Sequence, residues 1–447
     1  MSLDNRPALA EPVTSVAALA DFFRGGEKAA GEVRVGMEHE KIGLLAGTRA
    51  PIPFAGPRGI EELLRRLPRP PWQLFFERGA PIAALEGARS VSLEPGGQLE
   101  LSGLPCPRGS DLARELRRHL AVVRALSAEL GHVWLGAGYR PFGTAGDAEW
   151  VPKGRYERMR DSLGRRGPLA LDMMTMTATV QASFDYLDEA DMGEKLRGAT
   201  AVSPIVTALY ANSPLVDGKP SGFLSFRAHV WGQCDAARCG PLAAAFRPGF
   251  GYRAYAEWAL DVPMLFLRRG ERYLDARGFT FRRFLAEGLA GERATFSDWE
   301  DHLTALFPEV RLKRVIEVRG ADAGSEAMCA ALPALWKGLF YDRDALAAAA
   351  LLLDLPLLER LALEEDVARR ALAARAGKRL VRDLARELLD LSAAGLRRQP
   401  GGAEDARLLE PLREIAAEGL CPAERALQRL DEGGGDPSVL VEHWRIA

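Results

Sequence analysis

Glutamates recur at alternate positions in two short stretches of this chain. In Gly36-Met37-Glu38-His39-Glu40-Lys41, Glu38 and Glu40 are two apart, so on a strand they point to one face about 6–7 Å from each other. In the stretch from Ser92 to Ser102, Gln98, Glu100 and Ser102 share one face and Leu99 and Leu101 the other, while Glu94 precedes a Pro95-Gly96-Gly97 turn. Burial of the leucines turns the polar set the opposite way. Taken singly, a Glu-x-Glu pair is ordinary solvated strand surface.

The pattern repeats further along. Thr177, Thr179, Gln181, Ser183 and Asp185 alternate with Ala178, Val180, Ala182, Phe184 and Tyr186, one face apolar and one polar. Read the same way, the segment around Arg227 sets Ser225, Arg227 and His229 against Leu224, Phe226, Ala228 and Val230. The next sets Lys313, Glu317 and Arg319 against Ile316 and Val318. If these strands share one sheet, their polar faces form a concave wall bearing Glu38, Glu40, Glu100, Gln181, Glu317, Arg227 and Arg319. Carboxylates crowded within about 4–6 Å raise one another's pKa, so the wall calls for divalent cations or arginines. Oxygen ligands of this kind suit Mg²⁺ or Mn²⁺ rather than zinc, and magnesium commonly holds substrate phosphates, which points to phosphoryl transfer. Neither a Gly-x-x-x-x-Gly-Lys-Ser/Thr loop nor a kinase signature set is present. His39, His132, His229 and His302 lack the mutual spacing of a metal site or a triad.

The elements that must position these residues alternate irregularly between hairpins and helices. Helices are expected over 14–24, Ile60–Leu67, Asp111–Leu130 and Glu189–Tyr210. Strands are expected over Val33–Leu45, 72–77, on both sides of the Pro-Gly-Gly turn, and over Val133–Tyr139, Thr177–Tyr186, Gly222–Trp231 and Lys313–Gly320. After Tyr341 the apolar residues fall at helical spacing with charges between them, which reads as a helical carboxy-terminal region with a solvated face. The fold class is therefore α+β with an antiparallel or mixed sheet.

Lys plus Arg total 59 against 61 Asp plus Glu, a formal charge of −2 that offers no global field for nucleic acid or an anionic membrane. The 447 residues, 47% of them hydrophobic, suffice for a sizeable core. The longest apolar run, Ala345 to Leu353, is far short of the roughly 20 residues that span a bilayer. The amino terminus lacks a basic region and a small-residue cleavage site, so a cytoplasmic enzyme is expected. Five scattered cysteines have no zinc-like spacing, and Cys234 and Cys239 read as free thiols near a turn.

Strings through this chain are familiar as a set: GMEHEKIGLL, SVSLEPGGQLELSG, PKGRYERM, LDMMTMTATVQASFDY, ANSPLVDGKPSGFLSFRAHVW, WALDVPMLFL, DWEDHLTALFPEVRLKRVIEVRGAD and ALPALWKGLFYD. Together they resemble the plant and proteobacterial type of glutamate–cysteine ligase. The resemblance implies a fold related to glutamine synthetase, a curved antiparallel sheet forming a funnel with helices outside. It implies one catalytic domain over 1–447, with a sheet-containing core over 1–342 and the helical region 343–447 packed on it. It further implies that ATP phosphorylates the γ-carboxylate of glutamate and that the amino group of cysteine attacks the γ-glutamyl phosphate. Carried over by position, Glu38, Glu40, Glu94, Glu100, Gln181 and Glu317 resemble metal ligands for Mg²⁺ or Mn²⁺. Arg227 resembles the residue that holds a substrate carboxylate. Arg319, with Lys313, looks placed for ATP phosphates, and Lys153 and Arg155 for substrate or phosphate. Arg227, Arg319 and Glu317 form the expected catalytic set, in a monomer or homodimer.

Two departures stand out. Where plant members carry Arg-Thr-Cys-Thr-Val-Gln, this chain has Met176-Thr177-Ala178-Thr179-Val180-Gln181, which argues against plant-type disulfide control. The stretch 323–328 replaces the family's Gly-Gly-Pro-Trp. A ligase joining glutamate to another amine would carry the same acidic wall, and a catalytically silent binding homologue remains a further alternative.

Overall fold

The computed structural model describes residues 9–447, so residues 1–8 of the stretch read for a leader lie outside the described residues. Nine strands form one sheet: β1 (Val35–Leu45), β2 (Gln73–Glu77), β3 (Ala80–Glu86), β4 (Arg89–Leu93), β5 (Leu99–Ser102), β6 (His132–Leu135), β7 (Val180–Phe184), β8 (Val310–Leu312) and β9 (Ile316–Val318). Their order is β8-β9-β7-β1-β5-β4-β3-β2, with β6 also on β1, and every pairing is antiparallel. Around the sheet run α1 (Val16–Arg24), α2 (Ile60–Arg66), α3 (Gly109–Leu130), α4 (Gly154–Leu163), α5 (Ala170–Met176), α6 (Glu189–Tyr210), α7 (Phe226–Gly232), α8 (Tyr252–Asp261), α9 (Phe281–Glu287), α10 (Phe296–Thr304) and α11 (Glu326–Phe340). Beyond Tyr341 come α12 (Arg343–Ala350), α13 (Leu357–Arg370), α14 (Val381–Arg397) and shorter helices to Trp444. The α+β fold with an antiparallel sheet and outer helices is the one observed.

Register decides which residues share a face. Glu40 lies opposite Glu100, Glu38 lies between Ser102 and Gln181, and Glu317 lies opposite both Ser183 and Arg311. That polar face is the front. Behind it, Val91, Leu101, Met37, Val180, Ala182, Phe184, Ile316 and Val318 are buried in one continuous layer. Helices α3 and α11 pack on β1 and α6 on β8 and β9. Like charges directly opposite each other cost up to about 1 kcal/mol a pair. Each large apolar side chain buried behind contributes roughly 1.5–3 kcal/mol, so the rear layer outweighs the crowded front.

The segment Gly222–Trp231, expected to be a strand, is instead the loop and helix that carry Arg227. Ser225 Oγ accepts a hydrogen bond from Ala228 N and starts α7 there. Ten residues of alternating type fit a short helix nearly as well as a strand, and the serine cap decides between them. Two other strands are shorter than expected. The one around Gln181 begins only at Val180 because α5 runs to Met176. The one after His132 ends at Leu135, where Gly136 packs so closely on Gly324 that a Cβ would meet its carbonyl oxygen at 2.2 Å.

Two polar residues share the buried rear face of β1, His39 and Lys41. Lys41 Nζ donates to His39 O at 3.2 Å, and burial pushes its pKa down to about 7, with Cys329, Glu100 and Glu40 pulling the other way. The folded pKa lies below that of the unfolded chain, so the cost of burying the ammonium is complete below pH 7 and fades as pH rises above it. Lys41→Met should therefore stabilise the protein by about 3 kcal/mol at pH 6, with the gain shrinking by pH 9. Denaturant titrations of both proteins at the two pH values test this; a gain that grows with pH contradicts it.

Candidate active site

The front of the sheet opens on a cavity of about 120 Å³. Glu38 and Glu40 from β1, Gln98 and Glu100 at β5, Glu94 at the turn and Gln181 from β7 line one wall. The opposite wall comes from outside the sheet or from its edge: Lys153 and Arg155 at the start of α4, Arg227 and Trp231 on α7, Thr304 ending α10, Arg311 within β8, and Lys313 and Arg319 just after β8 and β9. Every residue expected at the site thus reaches this cavity except Glu317, which is wholly buried just behind it.

The turn that sets Glu94 and Glu100 needs its glycines. Gly97 has φ +83, a conformation that favours glycine, and a Cβ on Gly96 would meet Thr175 O at 2.3 Å. Gln98 locks the turn, accepting from Gly96 N at 2.9 Å and donating to Thr177 O at 2.8 Å.

The acids fall into two electrostatic classes. Burial would raise Glu317, but Arg311, Lys313 and Arg319 hold it well below the carboxylate range. Its oxygens accept from Arg311 at 2.6 Å, Arg319 at 3.1 Å and Lys313 at 3.3 Å. Glu40 behaves oppositely: burial pushes it well above the usual range, Glu94 and Glu100 add to the push, and Arg227 and Arg319 offset it only through space. Burial also lifts Glu100 to about 7, helped by Glu38 and Glu94. Among the described residues, no three His, Cys, Asp or Glu side chains converge closely enough to hold a metal ion unaided. Mg²⁺ keeps waters and takes further ligands from substrate phosphates, so carboxylates spread along one wall meet its needs.

Gln181 joins the two classes. Its Oε1 accepts from Arg319 Nη1 at 2.5 Å and its Nε2 faces Glu40 Oε1 at 3.5 Å. The guanidinium carbons of Arg227 and Arg319 each lie 5.8 Å from the Trp231 ring centroid, so one indole supports both cations. Arg227 is 3% exposed; its Nη2 donates to Arg319 O at 2.9 Å and its Nη1 to Gly320 O at 3.3 Å. Lys153 Nζ donates to Leu93 O at 2.7 Å, and Arg155 Nη2 reaches Thr304 Oγ1 at 3.4 Å.

Sequence reasoning did not single out Arg311, Trp231 or Asp322. Asp322 accepts from Asn212 N at 2.9 Å, Ser213 Oγ at 2.7 Å and Ser225 Oγ at 2.9 Å, and its Oδ1 lies 3.9 Å from Arg227 Nη1. It thereby ties the cap of α7 to the end of β9. No local spacing marked Asp322, whose three donors lie 97 to 110 residues away in the chain.

Comparison with known proteins adds to this geometry. The model of glutamate-cysteine ligase family 2 matches residues 34–443. A chloroplastic glutamate–cysteine ligase of Medicago truncatula is 42% identical over 434 residues, covering 96% of this chain and 84% of the relative. The chloroplastic enzyme of Arabidopsis thaliana is 42% identical over 423 residues, covering 94% and 80%. Among solved structures, a glutamate–cysteine ligase of Francisella tularensis in complex with AMP matches with TM-score 0.55 at 13% identity, over 94% of this chain and 88% of that one. A bifunctional glutathione synthetase of Pasteurella multocida matches with TM-score 0.50 at 13% identity, over 96% and 53%. At such identities these two speak to fold alone.

The cytoplasmic placement expected above is corrected by these matches, since the relatives are chloroplastic enzymes. Amino-terminal composition constrains insertion into a membrane but carries no compartment by itself.

The two classes of acid predict opposite responses to neutralisation. Glu317→Gln leaves buried guanidinium groups unpaired and should cost about 3 kcal/mol of stability. Glu100→Gln removes a buried carboxylate facing another and should add up to about 1 kcal/mol at pH 7. Urea unfolding without metal or nucleotide measures both; equal destabilisation would refute the division.

Proposed function

Because the chain belongs to the glutamate–cysteine ligase family 2, we propose that this cavity is where it works and that the residues lining it divide the labour. The enzyme joins the γ-carboxylate of L-glutamate to the amino group of L-cysteine, driven by ATP, in the first step of glutathione biosynthesis. The observation that carries the assignment of residues is the acidic wall facing buried arginines across one cavity.

A carboxylate does not react with an amine, because its carbon is shielded by negative charge and oxide is a poor leaving group. Transfer of the ATP γ-phosphoryl group to a glutamate γ-carboxylate oxygen gives ADP and an acyl phosphate. The neutral amine then forms the C–N bond as the C–O bond to phosphate breaks, and phosphate leaves with the electron pair while the nitrogen loses a proton. Such transfers ask the protein mainly for positioning and charge stabilisation.

Arg227 holds the glutamate carboxylate, because it is fixed by two backbone carbonyls and the Trp231 face before substrate arrives. Arg319 and Lys313 face the ATP phosphates. Lys153 and Arg155 close the far side of the cavity on substrate or phosphate. Glu38, Glu40, Glu94 and Glu100 are the residues that would hold magnesium, or manganese in its place. The bound cation would neutralise phosphate charge during transfer. Gln181 and Glu317, expected with the ligands, have their oxygens engaged by Arg319 and set its position. All of these side chains come from one chain, treated as a single catalytic domain over 1–447, so a monomer and a homodimer would use the same site.

Incubation with ATP, glutamate and a panel of amino acids, followed by phosphate release and product mass, tests the reaction. Cysteine should give γ-glutamylcysteine and the highest kcat/KM. Turnover with another amine and none with cysteine would move the protein to a neighbouring ligase activity, and no turnover with any amine would make it a binding homologue.

Metal affinity should depend on pH. Glu100 titrates near 7 and Glu40 is pushed well above the usual carboxylate range, and each must lose its proton to ligate a cation, so Mg²⁺ binding should tighten as pH rises through 7, by about tenfold per unit for each proton released. Calorimetry at pH 6 and 8 in buffers of different ionisation enthalpy reads the affinity and the released proton. Binding without proton release would remove Glu100 from the ligand set.

A further inference from the structure

A separate cavity of about 370 Å³ lies behind the sheet, between β5 and α3. Leu101 lines it, whereas its neighbour Glu100 lines the active-site cavity, so the two spaces are on opposite faces of β5. Leu67, Trp72, Leu101, Leu104 and Val122 give it an apolar interior. Its charged side chains come from Arg89 on β4 and from α3, which contributes Asp111, Arg114, Glu115 and Arg118.

Most of that charge is answered within the protein. Arg89 pairs with Glu86 at 2.9 Å and with Glu115 at 2.7 Å, and Glu115 also accepts from Leu104 N at 3.1 Å. Asp111 is held by Arg108 at 3.0 Å and by Arg114. Two groups are left over. Among the described residues nothing forms an ion pair or hydrogen bond with Arg118, whose side chain stands at the exposed rim. His119, which also lines the cavity, is only 8% exposed, and its Nε2 is buried without a hydrogen-bond partner. Buried polar atoms left unpaired are uncommon, and one beside a cavity marks a place for a polar ligand atom. Burial first, and then Lys41, His39 and Arg89, hold this imidazole well below its usual range, so it is neutral and its free nitrogen meets a neutral partner.

These features define one class of ligand. A single unpaired guanidinium at a rim presents a fork that matches one carboxylate. An apolar interior with an indole in its wall takes an aromatic ring. A neutral imidazole at the buried end pairs with a hydroxyl. We propose that this rear cavity is a binding site for a small aromatic carboxylate bearing a phenolic hydroxyl, with Arg118 on the carboxylate and His119 Nε2 on the hydroxyl. None of these residues belongs to the active-site cavity, so the site stands apart from the ligase reading. Its occupant still touches the frame of that cavity. Cys106, beside the rear cavity, exchanges two backbone hydrogen bonds of 2.8 Å with Val35 at the start of β1, the strand that carries Glu38 and Glu40.

Calorimetry on the full chain, free of ATP, glutamate and metal, with 3-(4-hydroxyphenyl)propionate as the probe, tests this. One molecule should bind per chain with a Kd on the order of 0.1–1 mM, as suits a ligand of that size. The methyl ester, which has lost the charge, should bind roughly fivefold more weakly, and Arg118→Gln, a change at the surface, should weaken the acid to the same degree. 3-Phenylpropionate, which lacks the hydroxyl, should bind wild type roughly threefold more weakly than the phenol, and His119→Phe should abolish that difference. Saturating ATP, Mg²⁺ and glutamate should not displace the probe. Absence of saturable heat overturns the proposal, as does equal affinity for acid and ester, unchanged affinity in Arg118→Gln, or equal affinity of wild type for phenol and 3-phenylpropionate. Displacement by ATP or glutamate also overturns it, because the probe then sits in the active-site cavity. The analogues and Arg118→Gln decide the matter even where His119→Phe fails to fold.

Discussion

Two carboxylates face each other across adjacent strands, Glu40 on β1 and Glu100 on β5, and much of the molecule is arranged around that repulsion. A sheet can tolerate it only if its other face binds strongly enough to fix the register, because a slip by one residue would exchange the faces. The apolar layer behind the sheet supplies that fixation, and α3, α6 and α11 cover it. Lys41 adds positive charge from behind, acting on Glu40 and Glu100 through the sheet. Without a cation the repulsion is relieved by proton uptake, as the raised pKa values of Glu40 and Glu100 record, and a metal–nucleotide complex would take the place of those protons.

The other end of the same sheet is organised in the opposite sense. Glu317 is surrounded by Arg311, Lys313 and Arg319, so its charge is fully answered within the protein. What it contributes is geometry: Arg319 is held by Glu317 on one side, Gln181 on the next and the Trp231 face on a third. A guanidinium fixed in this way loses little conformational freedom on meeting a phosphate. One sheet therefore presents unanswered acid at its centre and anchored base at its edge, with Gln181 at the junction.

This division explains which residues could be read from sequence. Period-two alternation put Glu38, Glu40, Glu100, Gln181 and Arg319 on the face that lines the cavity, because strand geometry is local and a buried rear face forces the polar residues forward. Arg227 was found as a residue but on the wrong element, since alternation over ten residues could not outvote a serine cap. Arg311, Trp231 and Asp322 were invisible for another reason. Arg311 matters through Glu317 on the neighbouring strand, Trp231 through two cations, and Asp322 through three donors some 100 residues away. No spacing rule reports contacts of that range. The resemblance to a ligase family supplied the direction of the chemistry, which alternating charge alone left open.

The carboxy-terminal helices show how far such long-range dependence extends. They read as generic amphipathic sequence, yet Ala368 at the end of α13 accepts from both Leu224 N and Ser225 N at 2.9 Å, holding the loop that launches α7 and Arg227. The placement of α13 depends in turn on a defect in α6. Pro204 has no N–H, so the Thr200 carbonyl four residues earlier lacks its helical donor. Arg360 Nη1 supplies the missing bond at 3.0 Å and reaches Ala201 O at 2.8 Å. The chain of cause runs from a proline in one helix, through an arginine in another, to a backbone carbonyl that holds the loop before Arg227. The helical region after Tyr341 is for that reason part of the site's construction rather than an appendage to it.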